Sequence, residues 1–443
     1  MAPAGFKVIV AGGGPVGLTA AISLSKANID FIVLERNASA VIDAGSNLVL
    51  SPMSLRALYQ CGLEEDLKRV TSPLGDLTRT DHSGHDIGKL DIFNHIKHNH
   101  GESLRVVSRH DLTHVLYSNL PVDAQSKILT NKKVSRVETN DTGVIVECDD
   151  GTSYDGTFVI GADGAHSTVR QLMREIAVAS GSDKINAKQP FLTTYRGLWV
   201  RFPRLHLEPG VTNETHGVGA STQLFCGEQS TVVSVYLPLE KPTRDRIRHT
   251  AEDKEAIISQ WGHLPLTPDG KVTLKDAYEM RLEAGLVSLE EGVVEYWSLD
   301  GKVVLVGDAA HKFTPSTGMG CNMGMVDVVV LANEVRKAMR SSSHVYPTPA
   351  ELEVAFESFK NIRYDVVVSG CKQSGTATAA STWASSISQL VDCHIAPFSF
   401  VQKYFMDRSA QQVAQTPVFD YIPSQEVMHG AVPWNKSMPD SKA

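Results

Sequence analysis

Apolar and polar positions near the start of the chain change period twice within about 30 residues, the length of one strand–helix–strand unit. Lys7-Val8-Ile9-Val10-Ala11 is a short β-branched run of strand length. Val16, Leu18, Ala20, Ala21, Ile22 and Leu24 then recur at helical spacing, to an end near Asn28. A second apolar run, Phe31-Ile32-Val33-Leu34, stops at Glu35. The pattern predicts a βαβ unit whose first turn reads Gly12-Gly13-Gly14-Pro15-Val16-Gly17, a Gly-x-Gly-x-x-Gly. Gly12 permits the tight turn, Gly14 lets backbone approach a pyrophosphate, and Gly17 lets helix and strand pack closely. The helix start offers unpaired N–H groups to phosphate. Glu35 can accept hydrogen bonds from ribose hydroxyls. The motif has a strand before it, a helix after it and an acid at the far end, which is the context a dinucleotide site requires.

Farther along, Ile42–Pro52 reads as a loop and short strand, then a helix over Met53–Tyr59 that Gly62 ends. From Gly75 to Gly101 the chain is polar and predicts hairpin excursions. Arg105-Val106-Val107-Ser108-Arg109 precedes a helix over His110–Leu120. Strands follow at Ser126–Leu129, Val134–Glu138 and Val144–Cys148, with Asp149-Asp150-Gly151 as a hairpin turn. Phe158-Val159-Ile160 is a buried strand that ends in Gly161-Ala162-Asp163-Gly164 and a helix. Strand runs at Thr193–Val200, Thr222–Phe225 and Thr231–Leu237, then a polar helix over Ala251–Gln260, predict an inserted antiparallel sheet. Lys302–Val306 resumes the first architecture at Gly307-Asp308. A helix from about Cys321 to Arg340, a loop to Pro349, helices to about residue 415 and an extended tail beyond Ser424 complete the chain.

Composition excludes several classes. A net charge of −8 over 443 residues argues against a nucleic-acid partner. The basic stretch Arg244–His249 contains Asp245 and reads as a solvated helix face. Six scattered cysteines without a CxxC pair fit reduced thiols and a cytoplasmic location. Met1 stands almost directly before the first strand, so no signal or transit peptide is expected. No apolar run approaches the length of a membrane span. Ile395–Val401 is the best membrane-surface candidate, and a buried helix start is the preferred reading. Five histidines between 82 and 100 lack a ligand pattern, so no metal is expected and a solvated loop is preferred.

Three separated strand-turn elements now stand together: Gly12 to Glu35, Gly161-Ala162-Asp163-Gly164 and Gly307-Asp308. In this order they resemble the group A FAD-dependent monooxygenases, the para-hydroxybenzoate hydroxylase-like class, over roughly residues 5 to 375. Gly307-Asp308-Ala309-Ala310-His311-Lys312-Phe313-Thr314-Pro315 and Thr194-Tyr195-Arg196-Gly197 are similar to its fungal natural-product epoxidase branch, the paxilline-type enzymes. The resemblance implies an α/β fold. A Rossmann-like FAD-binding domain of the GR2 type would take residues 1–75, 101–185 and 300–375. An antiparallel substrate domain would take 76–100 and 186–299, and a C-terminal helical segment and tail 376–443.

The resemblance also implies roles. Glu35 would bind the adenosine ribose, with Arg36 beside it, and Gly45 would let FAD pass. Arg109 would reach the pyrophosphate or ribityl region, where a planar bidentate cation is useful. Asp163 would support FAD and NADPH, unless it only caps the helix that follows. Asp308 would hydrogen-bond the ribityl chain. Pro315, Gly320, Cys321 and Asn322 would lie at the flavin, where a helix N-terminus stabilises negative charge on the N1/O2 edge. Cys321 reads as a small packing residue and not a nucleophile. Arg196 would act in substrate oxidation, unless it is a surface cross-strand arginine. NADPH or NADH would dock transiently, since no second Gly-x-Gly-x-x-Gly module is present. O2 would then form a flavin C4a-hydroperoxide that epoxidises or hydroxylates an electron-rich alkene or arene of a secondary metabolite.

Three rivals compete with this reading. A flavin halogenase needs Trp-x-Trp-x-Ile-Pro, and the five tryptophans here are isolated. An FAD-dependent dehydrogenase or reductase would retain no oxygen in its product. A non-catalytic flavin-binding module would show no substrate-stimulated NADPH oxidation.

Overall fold

The computed structural model describes residues 5–43 and 45–440. The first strand, Lys7–Ala11, is buried from Val8 onward and pairs in parallel with Asp30–Leu34 on one side and Phe158–Gly161 on the other. Phe158–Gly161 in turn pairs in parallel with Val303–Leu305. Ser298–Leu299 and Ile128–Leu129 complete the two edges of a six-stranded sheet. These runs are almost wholly apolar because the sheet is covered on both faces, as parallel sheets are. The helix Pro15–Lys26 packs on one side, with the long helix Met319–Ser341 against it. Gly14 is its N-cap and Pro15 its first residue, where a missing N–H costs nothing. Val134–Asn140, Gly143–Cys148 and Ser153–Gly156 form a small antiparallel sheet, with Gly151 at φ +81° in the expected turn.

The inserted sheet has seven strands: His311–Lys312, Glu283–Val293, Leu192–Pro203, Ser230–Thr243, Ser221–Cys226, Thr212–His216 and Leu77–Asp81, in that spatial order. All pairs are antiparallel except the last. Helices Ala251–Trp261 and Leu274–Glu279 cover one face over an apolar core that includes Val200, Phe202, Leu224 and Val235. The expected α/β architecture with an inserted antiparallel sheet and C-terminal helices is therefore present.

Three local expectations are corrected. Residues 75–101 do leave the first sheet as a hairpin, but their histidines do not all lie in a solvated loop. Leu77–Asp81 joins the large sheet, and Ile92–His100 is a helix closed by Gly101 at φ +78°. Its sequence, Ile-Phe-Asn-His-Ile-Lys-His-Asn-His, carries too few apolar residues to announce a packed helix. His100 is buried there, and burial pushes its imidazole down to about 4. Arg244–His249 is not a helix face, because the helix begins only at Ala251, capped by Thr250. Residues 395–401 do not start a buried helix: Phe398 and Phe400 are 55% and 70% exposed.

The C-terminal helices Pro349–Ser381, Ser386–His394 and Ser399–Val413 lead into a chain without regular structure that packs back on the helix Pro52–Gln60. Buried Arg56 bonds Glu426 at 2.7 Å and the Thr416 carbonyl at 3.2 Å, under the Trp434 ring. Gln60 donates to the carbonyls of Phe419 and Ile422. The helix Ser386–His394 is tied to the large sheet by Asp392, which accepts from Arg79 at 2.5 Å and faces His216 at 2.7 Å.

Burial alone would push the His216 imidazolium down, but hydrogen bonds to Asp392 and Glu214 outweigh it and hold its pKa up at about 9. A folded-state pKa above the unfolded value of 6.5 contributes stability that is complete below that value and is lost as pH rises through about 9. The melting temperature is therefore expected to fall between pH 6.5 and 9.5, roughly the span between those two values. His216→Gln should flatten this part of the curve. Parallel thermal melts of the two proteins over that range check it, and identical pH slopes would remove His216 as the source.

Candidate cofactor and substrate site

The three glycine-bearing turns meet because they end adjacent parallel strands. Gly12 sits at φ +105°, and a Cβ there would lie 2.5 Å from the Ala162 carbonyl oxygen. A Cβ on Gly17 would overlap the Gly12 carbonyl. Gly307, at φ +58°, lies against Val16 and Gly324. A cavity of about 960 Å³ opens at these strand ends, where open α/β sheets place their ligands. Gly14, Arg109, Asp308, Pro315, Gly320 and Cys321 line it.

Arg109 begins the helix Arg109–Ser118, capped by the Ser108 hydroxyl. Its Nη2 lies 3.5 Å from where a Gly14 Cβ would stand, and its Cδ 3.3 Å from the corresponding point on Gly45. Asp308 rides on the 3₁₀ turn Gly307–Ala309. Among the described residues neither the Arg109 side chain nor the Asp308 side chain has a hydrogen-bond or ion-pair partner, so both are available to a ligand.

Asp327, from the long helix, holds the Asp308 turn from beneath. Its Oδ2 accepts from the Gly307 N–H at 3.0 Å and faces His311 Nε2 at 2.5 Å, and its Oδ1 accepts from Arg363 Nε at 2.8 Å. Burial opposes ionisation of Asp327, but His311 and Arg363 overcome it and hold the carboxyl at about 2. Arg170 links two of the turns by donating to the carbonyls of Ala309 and Ala165, each at 2.9 Å. No local signal in the sequence assigned Asp327, Arg363 or Arg170 to the site, because all their partners but Ala165, beside Arg170, lie far away along the chain.

Other expected residues stand outside the cavity lining. Glu35 accepts from the Gly13 N–H at 2.7 Å and from Asn37 at 2.8 and 2.6 Å, so it also fixes the glycine turn. Arg36 is exposed. The Gly45 N–H donates to Glu283 at 3.1 Å, which stitches this loop to the large sheet. Asp163 Oδ2 accepts from the Val169 N–H at 3.0 Å, while its Oδ1 is buried without a partner among the described residues. Ser167, not Asp163, is the helix N-cap. The Asn322 side chain is fully committed, donating to the carbonyls of Val49 and Gly318 and accepting from Ser51 and Ser54. Cys321 does line the cavity, and burial pushes its thiol up to about 12, so it stays protonated.

Arg196 lies on the strand Leu192–Pro203, paired with Leu237 on one side and Ser288 on the other. It is half-buried and does not itself line the cavity, but Gly197, Leu198 and Trp199 along its strand do, as do Ser288, its register partner, and His249 beside it. Contact with reacting atoms does not follow from that position. Arg196→Ala is expected to retain FAD and to turn over within a few-fold of wild type. Product formation lost at full flavin occupancy would return Arg196 to the reacting centre.

The cavity's other wall is the large sheet. Gln223, Phe225, Val232, Ser234 and Tyr236 face it. The supposedly solvated Arg246, Arg248 and His249 line it too, with the Lys312–Glu290 pair at 3.0 Å.

Residues 5–344 match the FAD binding domain family. The chain belongs to this family. FAD-dependent monooxygenase ausM of Penicillium brasilianum is 28% identical over 426 residues, which cover 94% of this chain and 87% of the relative. Two solved structures show the shared fold. Klebsiella pneumoniae HpxO complexed with FAD and uric acid has a TM-score of 0.70 at 20% identity, over 92% of this chain and 96% of that one. p-Nitrophenol 4-monooxygenase PnpA from Pseudomonas putida DLL-E4 has a TM-score of 0.74 at 18% identity, over 92% and 97%. The resemblance to group A FAD-dependent monooxygenases is thus borne out.

The residues present fit FAD. The helix start at Gly14 and the uncommitted Arg109 cation suit a pyrophosphate. The uncommitted Asp308 carboxylate suits ribityl hydroxyls. The first turn of Met319–Ser341, with Gly318, Gly320 and Cys321 on the cavity, puts the positive end of a long helix where a flavin ring would gain negative charge.

Proposed function

We propose that this FAD-binding protein is a monooxygenase that uses NAD(P)H and O2 to epoxidise or hydroxylate an electron-rich alkene or arene of a fungal secondary metabolite. The observation that carries the reading is the single cavity with two unlike walls. One wall is built from the phosphate turn, Arg109 and Asp308, and the other from the mostly apolar face of an antiparallel sheet. Fungal relatives named FAD-dependent monooxygenases support it.

Bound FAD supplies hydride acceptance from the nicotinamide and delivery of one oxygen atom from O2. The chain supplies the rest. Arg109 and the helix start at Gly14 neutralise the pyrophosphate, and Asp308 fixes the ribityl chain. The start of Met319–Ser341 stabilises charge on the reduced ring. Phe225, Val232, Leu289 and Phe313 keep water from the oxygen-transfer locus. Glu35, Arg36, Gly45, Asp163 and Asn322 are assigned supporting roles around FAD. NADPH or NADH is assigned as a transient co-substrate, and the cytoplasm as the location. Among the described residues no helix is long and apolar enough to cross a membrane.

The test is turnover under labelled O2 with a panel of indole alkaloids, prenylated phenols and polyketides. One labelled oxygen in the product, with one O2 consumed per NAD(P)H, is expected. A product without labelled oxygen would make the chain a dehydrogenase or reductase.

A further inference from the structure

On the substrate wall a chain of hydrogen bonds runs in a direction that can be worked out. His216 Nδ1 lies 2.7 Å from Asp392 Oδ2, and its Nε2 lies 2.9 Å from Glu214 Oε2. Ionised carboxylates only accept, so both ring nitrogens donate and the ring is the imidazolium. Asp392 is kept ionised by Arg79 at 2.5 Å and Trp383 Nε1 at 2.9 Å. The other oxygen of Glu214 accepts from Gln223 Nε2 at 2.6 Å, and the same amide nitrogen donates to the Ser316 carbonyl at 3.0 Å. Two acceptors on that side fix the amide, so Gln223 Oε1 points the other way. It lies 2.8 Å from Tyr236 Oη, and the Tyr236 hydroxyl must be the donor. Its only proton is spent, so Tyr236 Oη can only accept from whatever enters the cavity it lines. Burial and the Glu214 charge push the phenol up and keep it neutral. The Ser234 hydroxyl, two residues earlier on the same face, lies within hydrogen-bond reach of Tyr236 Oη and can fill one of its acceptor positions, which leaves the other for a ligand donor.

We propose that Tyr236 Oη is the recognition point for a hydrogen-bond donor, a hydroxyl or an indole N–H, on an otherwise apolar substrate. Gln223, Glu214, His216, Asp392 and Arg79 are positioning residues that fix its polarity. The proposal rests on the monooxygenase reading and narrows its substrate class. A donor held there is distinguished from an analogue without one by the hydrogen bond alone, about tenfold in Kd.

The experiment titrates the FAD-loaded protein with matched probes and reads the absorption spectrum of the bound flavin. One pair is a prenylated phenol and the same arene without the hydroxyl. The other is a prenylated indole and the benzofuran of the same shape. Wild type is expected to bind the donor of each pair about tenfold more tightly. Tyr236→Phe should erase the difference with flavin still bound, and Ser234→Ala should keep it. Equal affinities in wild type, no binding of either donor, a preference surviving in Tyr236→Phe or one lost in Ser234→Ala would each overturn the proposal. The wild-type comparison decides even where a variant does not fold. Oxygen uptake with the same probes separates the two claims. Donor preference without incorporation of labelled oxygen would sink the monooxygenase reading and leave the recognition point standing.

Discussion

Asp327→Ala should cost about 3–5 kcal/mol of stability and most of the affinity for FAD, because it leaves buried charge without its partner. Arg363 would lose its only carboxylate among the described residues, and His311 would lose the one that faces it at 2.5 Å. The Gly307 N–H would lose its acceptor as well, and that N–H begins the turn carrying Asp308. The damage therefore reaches the cofactor although Asp327 does not line the cavity. Thermal melts of apoprotein and FAD-loaded protein, with flavin retention on gel filtration, check both halves. Wild-type melting with wild-type flavin content would show that the turn is held by something else.

Asp308→Ala should separate these effects. Its carboxylate has no protein partner among the described residues, so the apoprotein should melt within about 0.5 kcal/mol of wild type, as a substitution that breaks no protein contact does. FAD affinity should fall about 10- to 100-fold, the range for losing hydrogen bonds to a charged group. Flavin fluorescence titration of the apoprotein measures it. Unchanged affinity would refute the ribityl assignment.

The βαβ unit was legible because everything that defines it is local: Gly12, Gly14, Gly17 and Glu35 lie within one strand–helix–strand unit. The turns at Asp163 and Asp308 were legible for the same reason. The place of Arg196, next to lining residues but not lining the cavity itself, was not. A strand's period of two gives alternation but not which row meets the cavity, and an irregularity between Thr193 and Tyr195 shifts the register just before it. Asp327 was hidden inside an otherwise apolar helix pattern, since its partners are 16 and 36 residues distant. Arg246, Arg248 and His249 looked solvated because a charge run carries no information about the wall it lies against.

The middle one of the three strands that end at the cavity depends on neighbours made at very different times during synthesis. Phe158–Gly161 has its partner on one side, Lys7–Ala11, already available when it leaves the ribosome, but Val303–Leu305 on the other is still untranslated. The nascent chain must carry an open, apolar parallel edge throughout production of the whole inserted sheet. Such edges invite association with other chains, and pairing over so long a separation is slow. Yield in a foreign host should therefore respond more to lower temperature and chaperone supply than to any change at the flavin itself.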